Sequence, residues 1–179
     1  DPLFSKIPIN SANRNVSDII RLPTGKTENA DKKYEELMGK VMASLLYPHL
    51  DFAAEHSRID SGTQIRDLIF YNNISTDFLA EIHKEYGCKQ IVFELKNVKA
   101  IEREHINQLN RYMSDNFGRF GIIFTRNKPS KQMIQNTIDL WSGQRRCILI
   151  MDDTDLVLWM AMHRHGVLAT VATTEDLSS

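Results

Sequence analysis

The spacing of apolar residues changes several times along this chain, and each change predicts an element. Over residues 31–46, Tyr34, Met38, Val41, Met42 and Leu45 recur at intervals of three and four, which marks an amphipathic helix with one buried face. Asp31 stands at its start as an expected N-cap, and Pro48 should stop it. Residues 52–59 and 64–71 read as two strands joined by the turn Asp60-Ser61-Gly62-Thr63. The second of them is apolar on both faces, as expected of a central strand. A short helix over 76–86 should close at Gly87. The strand 90–97 comes next, followed by a helix over 101–116, a strand over 120–125, a helix over 129–142, a strand over 146–151 and a last helix over 156–162. The alternation of strand and helix over 120–151 implies parallel pairing through right-handed crossovers, and the whole pattern an α/β fold.

The two ends look different. Residues 1–30 are rich in Pro, Asn, Ser and Thr, with one apolar patch at Ile19, Ile20 and Leu22, and are expected to form a loosely packed arm. Gly25-Lys26-Thr27 resembles the end of a phosphate-binding loop, but that motif needs glycine five residues earlier, where Ile20 stands. Residues 167–179 read as a tail, leaving 31–166 as the domain. The chain begins at Asp1, so it reads as a piece of something longer.

Composition narrows the class. With 42% hydrophobic and 25% charged residues the chain has what a soluble globular domain needs. A net charge of -1 excludes a global basic field, so any polyanion must meet a local patch. Two cysteines without metal-binding spacing suit a reducing, intracellular compartment. No apolar run is long enough to span a membrane.

The chemistry lies on the strands. Along 90–97, Ile91, Phe93 and Leu95 share one face, and Val92, Glu94 and Lys96 share the other. Either this is a solvated pair on an edge strand, or a carboxylate sits where it needs a cation. On the preceding strand Asp67 shares a face with Ile65, Ile69 and Tyr71 and poses the same problem. Two neighbouring strands that each offer an acid suit a hard divalent ion such as Mg²⁺, and an adjacent lysine can hold a phosphate oxygen. On the helix over 31–46, Glu35 lies on the flank of the apolar stripe, whereas Glu36 lies on the far side beside Lys40 and should be solvated.

Asp67, followed twenty-seven residues later by Glu94-Leu95-Lys96, resembles the signature of the PD-(D/E)xK nuclease superfamily. Arg66 stands where that signature usually has proline. Tyr34-Glu35-Glu36-Leu37 is similar to the acid-bearing helix of many members, and Gln108 with Tyr112 is similar to the Gln-x-x-x-Tyr motif of the RecB-like branch. The resemblance implies a restriction-endonuclease-like mixed sheet core flanked by helices. It implies Mg²⁺ or Mn²⁺ on Asp67 and Glu94 with support from Glu35. Lys96 would activate the attacking water, while Gln108 and Tyr112 would position substrate. DNA would be the partner, with a homodimer also admitted and no membrane, and the setting would be cytoplasmic or nucleoid-associated. Two rivals stand beside this reading: a non-catalytic nucleic-acid-binding or scaffold domain of the same fold, and an RNase with the same metal chemistry.

Other polar groups have plainer explanations available. Arg119, Arg126, Lys128, Lys131, Arg145 and Arg146 form either a patch for a phosphate backbone or ordinary surface. Asp152-Asp153-Thr154-Asp155 is expected to cap the last helix, and His163 and His165 lack the spacing of a helical metal pair. His105, one turn before Gln108, either faces the same cleft or simply packs.

Overall fold

The computed structural model describes residues 9–47, 49–60, 63–113 and 118–164, without the side chains of 9, 10, 51–67, 163 and 164. Its elements run α1 (Ile9–Arg21), α2 (Ala30–Leu46), β1 (Leu50–Asp60), β2 (Thr63–Asn72), α3 (Asp77–Tyr86), β3 (Gln90–Lys96), α4 (Arg103–Tyr112), β4 (Phe120–Thr125), α5 (Lys131–Gln144), β5 (Cys147–Met151) and α6 (Asp153–Arg164). The strands form one five-stranded sheet in the order β1-β2-β3-β4-β5. β1, β2 and β3 pair antiparallel, while β3, β4 and β5 pair parallel. The result is a mixed α/β fold with helices on both faces of the sheet, and β2 is central as its two apolar faces required.

The period-two alternation of the strands sorts side chains into two cores. On one face Leu68, Phe70, Ile91, Phe93, Leu95, Phe120, Ile122 and Phe124 pack with α1, α2 and α6. The rings of Phe70, Phe93 and Phe124 form a ladder across β2, β3 and β4, with centroids 5.3 and 6.2 Å apart, and Trp159 of α6 closes it 5.8 Å from Phe124. On the other face Ile69, Val92, Ile123 and Ile148 pack with Ile106, Leu109 and Met113 around α4 and Met133 of α5. α4 comes close to the sheet because β4 has Gly121 beneath it. A Cβ there would lie 3.1 Å from both Leu109 Cδ2 and Met113 Cε, tighter than ordinary van der Waals contact.

Local signals decide most boundaries. Thr76 caps α3 by accepting a hydrogen bond from the Leu79 amide at 3.2 Å, and Gly87 ends it in the left-handed conformation at φ 63°. The acidic run before α6 is a cap, as expected. Asp152 Oδ1 accepts from the amides of Thr154 and Asp155 at 2.7 and 3.2 Å, and Asp155 Oδ2 accepts from the Asp152 amide at 2.9 Å. Asp31, however, is not the N-cap of α2. The helix begins one residue earlier, after Asn29 in the left-handed region, and Asp31 sits in its first turn, where the helix dipole favours a carboxylate.

The largest departure from expectation is the N-terminal segment. Residues 9–21 form a helix rather than a loose arm, and Ala12, Val16 and Ile19 are buried in the main core. Their spacing of four and three is a narrow apolar stripe in an otherwise polar sequence. What fastens this helix is Arg126, which is 6% exposed. Its Nε donates to Asp153 Oδ2 at 2.9 Å, its Nη1 to Asn97 Oδ1 at 2.7 Å, and its Nη2 to the carbonyls of Ile19 and Ile20 at 2.8 and 3.3 Å. The guanidinium also lies 5.4 Å from the centroid of the Tyr34 ring, a cation–π contact in a dry setting. Asn97 continues the network by donating to the carbonyls of Pro23 and Gly25 and accepting from the Gly25 amide at 2.8 Å. Gly25-Lys26-Thr27 is thus part of a structural strap, consistent with its rejection as a phosphate loop. The expected tail 167–179 lies outside the described residues.

Arg126→Met should therefore cost about 3 kcal/mol, because it strands Asp153 and the polar groups of Asn97 away from water. Urea denaturation measures the loss. Amide exchange should show α1 released first, since its carbonyl anchors are the ones removed.

Candidate active site

Backbone register brings the expected strand residues together. In the antiparallel pair β2·β3, Asp67 stands directly opposite Glu94. Directly opposed residues share a face with Cβ atoms about 5 Å apart. The Asp67 side chain itself lies outside the described residues. In the parallel pair β3·β4, Glu94 is opposite Ile123 and Lys96 is opposite Thr125. All of these positions lie on the α4 side of the sheet.

Glu94 is fully buried, with no exposed side-chain surface, and Lys96 keeps 12% of its side chain exposed. The Lys96 Nζ lies 2.5 Å from Glu94 Oε1. The ammonium thus meets Oε1 of Glu94, while Oε2 has no hydrogen-bond partner among the described residues. The choice left open by the sequence is settled: the pair is not a solvated edge pair. A carboxylate in such a place accepts several donors or a cation where it can. Here one ammonium meets only part of that need.

α4 supplies the remaining polar groups. Lys96 Nζ donates to Gln108 Oε1 at 3.1 Å, and Gln108 Nε2 donates to the Tyr112 hydroxyl at 3.4 Å. The four-residue spacing of Gln108 and Tyr112 therefore builds one chain of contacts running from helix to strand. His105 belongs to the same surroundings. Its Nδ1 accepts from the Glu102 amide at 3.0 Å, which leaves the ring proton of the neutral form on Nε2. Burial lowers its pKa and the Lys96 ammonium lowers it further, against the opposing pull of Glu102, Glu94 and Glu104.

Glu35 is not brought to this face by its helix. The buried stripe of α2 (Tyr34, Met38, Val41, Met42 and Leu45) packs in the core on the opposite side of the sheet, and Glu35 is half-buried on the flank of that stripe. Glu36 pairs with Lys40 at 2.5 Å on the surface, as expected. Among the described residues no group of three His, Cys, Asp or Glu side chains gathers as a metal cluster. The acids that register places together at this site, among the described residues, are Asp67 and Glu94.

The basic residues do not form one patch. Arg126 is a buried structural group. Arg119, Arg145 and Arg146 precede β4 and β5 and so lie at the amino end of the parallel strands. Arg146 Nη1 is held there by the carbonyl and side-chain oxygens of Asn110, and Arg145 lies 5.6 Å from the Trp141 ring. Exposed Lys128 and Lys131 follow β4, at the carboxyl end where β3 delivers Lys96. Exposed Lys99 joins them, since Asn127 Nδ2 donates to its carbonyl at 2.9 Å and ties the two loops together. Carboxyl ends of parallel strands are where open α/β sheets take ligands.

Thr125 is the residue that sequence reading overlooked. It is 1% exposed, and its Oγ1 has no hydrogen-bond partner among the described residues. A threonine ending an apolar strand carries no signal by itself, and only the parallel register with β3 sets it beside Lys96.

Comparison with known proteins gives little. The chain matches no family model, and no solved structure matches it. It is 27% identical over 85 residues to a protein described as "Putative transposon gamma-delta 80.3 kDa protein" from Escherichia coli (strain K12). The match covers 47% of this chain and 12% of that protein, so the chain spans only a small part of the relative's length. Among the described residues no helix is long and apolar enough to cross a membrane.

The position of His105 makes stability depend on pH. The folded protein keeps the imidazole neutral below its ordinary pKa of 6.5, so the unfolded chain takes up the proton first. The stabilising contribution is complete above that value and is lost as the pH falls through the lowered one. Urea midpoints measured across this range should fall more steeply with acid in the wild type than in His105→Asn.

Proposed function

We propose that this domain is a metal-dependent nuclease that hydrolyses phosphodiester bonds in DNA, built on a restriction-endonuclease-like core. The observation that carries the reading is the Glu94 carboxylate. It is wholly buried, is met on Oε1 only by the Lys96 ammonium, has no hydrogen-bond partner on Oε2 among the described residues, and faces Asp67 in register. Such a carboxylate fits a hard divalent cation, whose charge meets both the desolvation cost and the empty lone pairs.

In this reading Asp67 and Glu94 hold Mg²⁺ or Mn²⁺, and a bound cation of this kind supplies charge at the scissile phosphate and acidifies water. The chain's own groups do the rest. Lys96, which unlike Glu94 keeps part of its side chain exposed, holds a phosphate oxygen and orients the attacking water. Gln108 fixes the Lys96 ammonium from the α4 side, and Tyr112 fixes Gln108. Lys99, Lys128 and Lys131 lie at the same end of the sheet and suit the backbone of a nucleic acid. Glu35 has the weaker claim, because α2 lies across the sheet, and its role is limited to support from the rim. A DNA partner agrees with the word transposon in the relative's name, which by itself assigns no activity.

Plasmid, linear duplex, single-stranded DNA and RNA incubated with and without Mn²⁺ test the reading. DNA cleavage that needs Mn²⁺ and falls at least about a hundredfold in Asp67→Asn, Glu94→Gln and Lys96→Ala is expected, each variant removing a group that acts on the transition state. Cleavage of RNA alone would favour the ribonuclease. Full activity in the three variants would reject the site.

A further inference from the structure

We propose that Thr125 is a positioning residue of this site, whose hydroxyl receives the Lys96 ammonium when a divalent cation settles on Glu94. The inference rests on the metal-dependent reading above and concerns what the lysine does when the metal arrives.

The ammonium of Lys96 lies against Glu94 Oε1, on the carboxylate that would hold a divalent cation. An ammonium has three N–H donors. One is engaged by Gln108 Oε1 and another faces Glu94 Oε1. A dication on Glu94 repels this charge at close range, and in a buried site that repulsion is weakly screened. The ammonium therefore has to exchange the carboxylate for another acceptor without leaving the site.

Thr125 supplies one. It is the register partner of Lys96 on the adjoining strand, at an interstrand spacing of about 4.8 Å, and on the same face of the sheet. Its oxygen has no hydrogen-bond partner among the described residues, although the residue is 1% exposed. A buried hydroxyl that bonds to nothing destabilises a fold relative to valine, which has the same shape. The hydroxyl takes no part in hydrogen bonding among the described residues and would become useful once the ammonium moves. Gln108, held in turn by Tyr112, keeps hold of Lys96 on the α4 side during the exchange. Lys96 thus swings between Glu94 and Thr125, and the cation and the lysine are accommodated together.

Thr125→Val and Thr125→Ser in the whole chain separate this role from a merely structural one. In EDTA, Thr125→Val should melt at or above the wild-type temperature. Calorimetric titration with Mn²⁺ should show its affinity reduced about tenfold, the loss of one hydrogen bond to a charged group, and Thr125→Ser should restore it. Unchanged Mn²⁺ affinity in Thr125→Val would overturn the proposal, as would a clear fall in its melting temperature in EDTA. A wild-type protein that binds no Mn²⁺ would overturn it together with the metal-dependent reading. If the wild type binds Mn²⁺ with the expected dependence on Thr125 yet hydrolyses neither DNA nor RNA, the nuclease reading fails and the role of Thr125 stands.

Discussion

A carboxylate on a central strand, closed off from water on every side, has to be compensated from within the protein, and the arrangement of β2, β3, β4 and α4 follows from that need. Lys96 can reach Glu94 because residues two apart on a strand point the same way. Gln108 can reach Lys96 because Gly121 lets α4 descend onto the sheet. The compensation stops short, since Glu94 Oε2 has no hydrogen-bond partner among the described residues. Buried polar groups left in this condition are rare, and they concentrate where a protein handles ligands.

Arg126 makes the contrast plain. It lies one residue beyond Thr125, is nearly as buried as Glu94, and has its nitrogens bonded to Asp153, Asn97 and two carbonyls of α1. One buried charge at this end of the sheet is satisfied and holds elements together, while the other is left wanting. Tyr34, whose ring lies under the guanidinium, shows how dry the surroundings are: burial drives its hydroxyl pKa far upward. The two charges differ in how far they are satisfied rather than in burial, although the Tyr34 hydroxyl too has no hydrogen-bond partner among the described residues.

Much of this could be read from the chain, because strands and amphipathic helices announce themselves by period. The faces of β3, the buried stripe of α2 and the four-residue step from Gln108 to Tyr112 all follow from local spacing, and each matches the structure. The failures share a cause. Ala12, Val16 and Ile19 form so narrow a stripe among polar neighbours that α1 gives no strong local signal, and its stability comes from tertiary contacts. Arg126 looks like any surface arginine in Thr-Arg-Asn-Lys, since nothing nearby in sequence reports the carbonyls that receive it. Thr125 gains meaning only from its neighbour across a parallel ladder, a relation between residues about thirty positions apart. The helix position of Glu35 was legible, but the side of the sheet on which that helix would land was not.

The strap that ties α1 to the sheet is held through main-chain atoms at every point described: carbonyls at Ile19, Ile20, Pro23 and Gly25, and the amide of Gly25. Arg126 and Asn97 therefore recognise the path of the chain there rather than its side chains, with Gly25, at a φ of 91°, the position where that path itself favours glycine. Homologous sequences are free to drift at exposed positions such as 20 while keeping the same anchorage. Insertions or deletions between 19 and 25 are another matter, because a shift of one residue moves every oxygen that the two side chains grip.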